Sequence, residues 1–216
     1  MKTNEELQKD VQDAIKWEPS LHAAEIGVIA IDGVITLSGI VNTYAKKLEA
    51  EHAAKNVLGV KAVVEKIRVK FNNVGDKNDN EIATEILKVF AQNSEIPNDR
   101  LKLKVERAWV TFEGDFEWNF QKEAVDKSIT HISGIAGITN NLKIVSKTYD
   151  QIEKVDIESA LSRNWALGGN QIEVIVKENK VMLTGKVQSL YQKDAASRIA
   201  WNAPGVAGVD NELEIE

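Results

Sequence analysis

LTGKVQSLYQKDAASRIAWNAPGVAGVDNEL, residues 183–213, holds two glycines twenty positions apart, Gly185 and Gly205, with an alanine-rich stretch between them. The same spacing separates Gly39 from Gly59 and Gly114 from Gly134. With these pairs superposed, the chain from about position 10 to position 69 slides without a gap onto itself by 75 residues and then by 146. A period near 70 marks three copies of one small unit rather than one large domain. The copies are read as residues 1–71, 78–146 and 148–216.

Each copy opens with apolar residues at helical spacing: Leu7, Val11 and Ile15; Ile82, Ile86 and Phe90; Ile157, Leu161 and Trp165. That spacing places each set on one helical face. Strict alternation follows, Ile26, Val28 and Ala30 matching Leu101, Leu103 and Val105 and then Ile172, Val174 and Val176. Period two means a strand with these side chains inward. A short turn leads to a second alternating run, with Ile35 and Leu37, Val110 and Phe112, and Val181 and Leu183 inward. The pair predicts a hairpin. Asp32-Gly33 suits the positive φ angles of a tight primed turn, whereas Arg107-Ala108 and Glu178-Asn179 lack glycine and predict looser turns or another type.

The first glycine of each pair closes the second strand in this reading, and the second ends a helix in the left-handed C-cap conformation. Ser189 with Gln192 reads as a capping box at the start of that helix in the third copy. Ala50, Ala54 and Val57, Val125, Ile129 and Ile132, and Ala196, Ala200 and Ala203 form its inner face. A last strand carries Val60, Val63, Ile67 and Val69, or their counterparts Ile135, Ile138, Leu142 and Ile144, and Val206, Val209, Leu213 and Ile215. The fold class is therefore α+β, three tandem αββαβ units, each a three-stranded sheet covered on one face by two helices. The link at 72–80 is polar and contains Gly75, while the link around 146–150 is shorter. Copies two and three are accordingly expected to be held more tightly than one and two.

A net charge of −6 and a pI near 5.3 oppose nucleic-acid binding, which needs a concentrated basic footprint. Without cysteine there is no disulfide, thiolate chemistry or Cys-type zinc site. The start, MKTNEELQKDVQDAIKW, is acidic and amphipathic, unlike a secretory leader. As written, this reads as cytoplasmic, with a periplasmic protein the alternative if a leader has been removed. No apolar run approaches the roughly 20 residues that span a bilayer.

The pattern L-x-G-x-V followed by G-V-x-x-V-x-N-x-L appears as Leu37-Ser38-Gly39-Ile40-Val41, as Leu183-Thr184-Gly185-Lys186-Val187, and as Gly205-Val206 through Val209, Asn211 and Leu213. It resembles the BON domain, named for bacterial osmotically inducible and nodulation proteins. Asn140 and Asn211 fit that pattern, while Glu65 and Phe116 depart from it. The resemblance implies a non-enzymatic module, usually of the bacterial envelope and associated with stress, often proposed to bind phospholipid. Its motif consists of glycines and apolar residues, so Gly39, Gly59, Gly114, Gly134, Gly185 and Gly205 are structural.

No catalytic, metal or cofactor site follows from the residues. His22, His52 and His131 occupy different columns, none with a second ligand at metal spacing, and neither a nucleophile elbow nor a phosphate loop is present. The outward strand positions differ between copies. In the second they carry Lys102 and Lys104, with Arg100 before them and Trp109 on the next strand, a candidate ligand-binding row for anionic phospholipid headgroups. Lys66, Arg68 and Lys70 form a comparable row in the first copy. There Gly27, Ile29, Ile31 and Val34 make an apolar outer face, a candidate interaction surface for another repeat, another copy of the chain or a protein partner. Trp17, Trp118, Trp165 and Trp201 share no column and read as packing residues, with Trp17 and Trp118 the two placed for exposure. Two functions remain: a binding or adaptor module with phospholipid as ligand, and an interaction scaffold that uses the apolar face without lipid.

Overall fold

A computed structural model describes residues 2–21, 26–71, 77–145, 152, 154–169 and 171–216. His22, Gly75 and most of both links lie outside the described residues. The first repeat runs α1 (Asn4–Trp17), β1 (Ile26–Ile31), β2 (Val34–Val41), α2 (Tyr44–Lys55) and β3 (Ala62–Val69). The second runs α3 (Asp79–Gln92), β4 (Leu101–Glu106), β5 (Trp109–Phe116), α4 (Asn119–Ile129) and β6 (Gly137–Ile144), with one 3-10 turn at Asn98–Arg100. The third runs α5 (Lys154–Arg163), β7 (Ile172–Lys177), β8 (Lys180–Val187), α6 (Leu190–Trp201), and a last strand broken into β9 (Gly208–Asn211) and β10 (Glu214–Ile215). The three sheets have the orders β1-β2-β3, β4-β5-β6 and β7-β8 followed by β9 and β10. In the second, β4 pairs antiparallel and β6 parallel with the central β5. This is the αββαβ plan, three times.

The inward columns become the cores. In the first repeat Leu7, Val11 and Ile15 meet Ile26, Val28, Ala30, Ile35 and Leu37, all buried. In the second Ile82, Ile86 and Phe90 pack with Val110, Phe112 and Phe116, the Phe90 and Phe112 rings lying 5.6 Å apart. The third repeat has Ile157, Leu161 and Leu167 in this role. Trp165 departs from expectation: α5 ends at Arg163, so the helical period lapses before Trp165, which is 88% exposed while Leu167 enters the core. Trp17 is exposed as expected and Trp118 is half-buried.

Spatially the chain forms two compact units, one of Met1–Ser38, Ala50–Lys66 and Ser146–Glu216, the other of Gly39–Glu49 and Ile67–Val145. The third repeat therefore shares a unit with the first and not, as expected, with the second. A short link limits separation along the chain but supplies no matching surface. Within the first unit, Gly59 N–H donates to the Gln188 carbonyl at 3.0 Å and Lys55 lies 3.5 Å from Asp194 and 3.0 Å from Glu51. Burial alone would lower the Lys55 pKa, but these two carboxylates hold it above its ordinary range. In the other unit, Tyr44 packs against the core of the second repeat.

Four local expectations change. The second glycine of each pair, left-handed at φ +92°, +93° and +83°, stands four or five residues past its helix rather than capping it. The first glycine of each pair lies inside its strand, two residues before the end, rather than closing it. Gly114 has φ +152° within β5, and a Cβ there would stand 2.1 Å from the Arg100 carbonyl oxygen, so the start of β4 crosses too closely for any side chain. The Arg107-Ala108 turn does not loosen either: Arg107 and Ala108 adopt φ 52° and 63°, as Asp32 and Gly33 adopt 49° and 85°, whereas in the third repeat Glu178 has a positive φ of 54° and Asn179 does not, so that turn is of another type, as expected. Asp79, at the start of α3, accepts the Arg107 N–H at 2.9 Å and the Ala108 N–H at 2.8 Å, which compensates the strain of a left-handed alanine. Asn4 makes one such bond in the first repeat, accepting the Asp32 N–H at 2.8 Å. At Ser189 the cap is present, but Gln192 accepts the Gln188 N–H rather than completing a box at Ser189.

Candidate functional site

One sheet face in each repeat is turned away from its helices, and the outward strand positions line it. In the second repeat this face brings Lys102, Lys104 and Trp109 together, with Arg100 in the turn before β4. Arg100, Lys104 and Trp109 are already engaged, and Lys102 faces a carboxylate. Arg100 lies 3.1 Å from Glu117, and Lys104 lies 2.8 Å from Glu106, which together with Glu113 raises the Lys104 pKa. Lys102 stands directly across the ladder from Glu113. The Trp109 indole lies flat over Gly137, where a Cβ would fall 2.3 Å from the ring, and its N–H donates to Thr139 Oγ1 at 2.8 Å. This row carries its own counter-charges. In the third repeat Lys186 pairs with Glu216 and stands opposite Glu214.

The first repeat differs. Ile29, Ile31 and Val34 are 55%, 60% and 37% exposed, with β1 and β2 joined by the two-residue turn Asp32-Gly33. Val64 on β3 is also exposed. Along the same strand the outward row continues through exposed Lys66 and Arg68 to Lys70. Among the described residues no carboxylate lies within ion-pair distance of these three cations. Apolar surface at the hairpin end thus runs into uncompensated positive charge. Val64 escapes a reading that looks only for inward residues, yet its parity with Lys66 and Arg68 places it on this face.

Another repeated polar group was also legible only by column. Lys47, Lys122 and Lys193 hold the same position in the second helix of each repeat. Their ammonium groups donate to the carbonyls of Ile67, Leu142 and Leu213 at 3.2, 3.0 and 2.7 Å, tying helix to last strand. These lysines are structural. Among the described residues no group of three or more His, Cys, Asp or Glu side chains is placed to hold a metal ion, and no helix is long and apolar enough to cross a membrane.

The profile of the BON domain matches residues 3–70, 78–146 and 150–216. The chain belongs to the BON family. Its three BON units agree with the three copies in the sequence and with the three αββαβ units of the structure. Osmotically-inducible protein Y of Escherichia coli (strain K12) is 25% identical over 137 residues, which is 62% of this chain and 68% of that protein. The C-terminal domain of CdsD, the structural protein of the type III secretion system of Chlamydia trachomatis, aligns over 97% of this chain and 97% of its own at 16% identity, with a TM-score of 0.27. A second CdsD structure aligns over 96% of this chain and 91% of its own at 15% identity, with the same TM-score.

Proposed function

We propose that this BON protein is a non-catalytic bacterial binding module whose working surface is the outer sheet face of its first repeat, docking on anionic phospholipid headgroups. One observation carries the proposal: among the described residues Lys66, Arg68 and Lys70 have no counter-ion and stand beside exposed apolar surface, whereas in the basic row of the second repeat Arg100 and Lys104 pair with Glu117 and Glu106 and Lys102 stands opposite Glu113. Cations near an anionic lipid surface contribute about 1 kcal/mol each, and exposed isoleucines supply apolar contact at the same place. The net charge of −6 works against approach to such a surface, but at physiological salt the Debye length is about 8 Å and the local patch decides. The resemblance to osmotically-inducible protein Y supports a role in osmotic stress.

Flotation with phosphatidylglycerol vesicles tests this. The protein should float with anionic vesicles at low salt, less at moderate salt, and not with phosphatidylcholine alone. No association with anionic vesicles at either salt rules the lipid reading out. The exposure of Ile29, Ile31 and Val34 favours a second reading, a protein scaffold on the same face. Ile29→Lys separates the two, since loss of a protein partner with unchanged flotation supports the scaffold.

A further inference from the structure

The sheet of the first repeat ends at β1. β1 lies at one side of its sheet, and among the described residues no other strand pairs with its free side. A groove of about 150 Å³ between α1 and β1, lined by Gln12, Ile15, Lys16, Ile26 and Val28, runs beside that edge. The two-residue turn pairs Ile31 with Val34, so Ile31, Ile29 and Gly27 direct their backbone groups to β2. Ala30, Val28 and Ile26 therefore turn theirs outward, a row of N–H and C=O groups with which another strand can pair.

Edge strands usually carry charges that prevent such pairing. The matching strands here obey that rule: β4 has Lys102, Lys104 and Glu106, and β7 has Glu173 and Lys177. β1, reading IGVIAI, has no charged residue and no proline. It is also self-complementary. In an antiparallel pair related by a two-fold axis at Ile29, Val28 and Ala30 exchange hydrogen bonds with Ala30 and Val28 of the other copy. The side-chain-free Gly27 then faces the bulky Ile31, and no like charges meet.

We propose that β1 pairs antiparallel with β1 of a second copy of this chain, joining two first-repeat sheets into one six-stranded sheet. The proposal rests on the lipid reading only for its consequence: the two outer faces become coplanar, so both basic rows meet one membrane surface at once. A six-residue strand spans about 20 Å. Its edge buries far less than the roughly 800 Å² per partner of a stable interface, so the pair is weak in solution and strengthened when both copies occupy one surface.

The absence of cysteine permits a direct test. Opposed residues of an antiparallel pair have Cα atoms about 4.5 Å apart at a non-hydrogen-bonded position, within disulfide reach. Under diamide, Ile29→Cys should form a disulfide dimer at high protein concentration, and at lower concentration when phosphatidylglycerol vesicles are added. Lys104→Cys, the same column in the second repeat, should stay monomeric. Ile29→Lys in the otherwise native chain should shift sedimentation to monomer at every concentration. Failure of Ile29→Cys to cross-link with or without vesicles, or equal cross-linking of both cysteine variants, overturns the proposal. Flotation without cross-linking sinks this pairing and leaves the lipid reading standing, whereas cross-linking in solution without flotation does the reverse.

Discussion

Ala108 holds a backbone conformation that costs an L-residue about 1 kcal/mol, and the chain keeps it because Asp79 accepts both turn N–H groups. Ala108→Gly should therefore raise unfolding stability by roughly 0.5–1 kcal/mol in urea denaturation. Gly114→Ala should do the opposite, by about 2 kcal/mol or more, because its Cβ would collide with the Arg100 carbonyl rather than with a movable side chain. Asp126 gives a pH signature. Burial raises its pKa above the ordinary range, Glu123 adds to this, and the Asn140 side chain and Lys122 pull the other way. Asn140 Nδ2 is itself buried without an acceptor in hydrogen-bond geometry. Since the folded pKa exceeds the unfolded one, stability falls as pH rises from the unfolded value through the folded value and is level above it. Asp126→Asn should raise Tm at neutral pH and bring no gain near pH 3, about a unit below the unfolded value. An equal gain at both pH values would refute the assignment.

The helices and strands themselves were legible, because apolar residues at periods of 3.6 and 2 repeat in three aligned copies. Val110, Phe112, Ile82 and Ile86 could be placed inward from sequence alone, and all are buried. Turn geometry was not legible: the residue that makes Arg107-Ala108 tolerable is Asp79, 28 positions before Arg107. A two-residue reading of the turn cannot contain it. Trp165 failed because the helix stops short of it, and apolar spacing does not report where a helix ends. The outer faces were half legible. Their composition was plain, but whether a lysine is free depends on cross-strand neighbours such as Glu113 opposite Lys102. Lys122 illustrates the same point inside a repeat: its bond to the Leu142 carbonyl predicts that Lys122→Met costs about 1 kcal/mol, measured by denaturation.

Across the chain, selection of one core plan three times left the inward columns alike and the outward faces different. The glycines mark that shared plan, and the proposed function rests on the difference between faces. Only the first repeat combines exposed isoleucines, an uncharged edge strand and three cations without counter-ions among the described residues. The measurement that tests this most directly is flotation with phosphatidylglycerol vesicles, comparing Lys66→Glu/Arg68→Glu with Lys102→Glu/Lys104→Glu. Removing two cations worth about 1 kcal/mol each should lower vesicle association at least roughly tenfold for the first-repeat pair. The second-repeat pair should stay within about twofold of the native chain, since those lysines already face carboxylates. Equal loss in both variants, or loss in the second alone, would contradict the account.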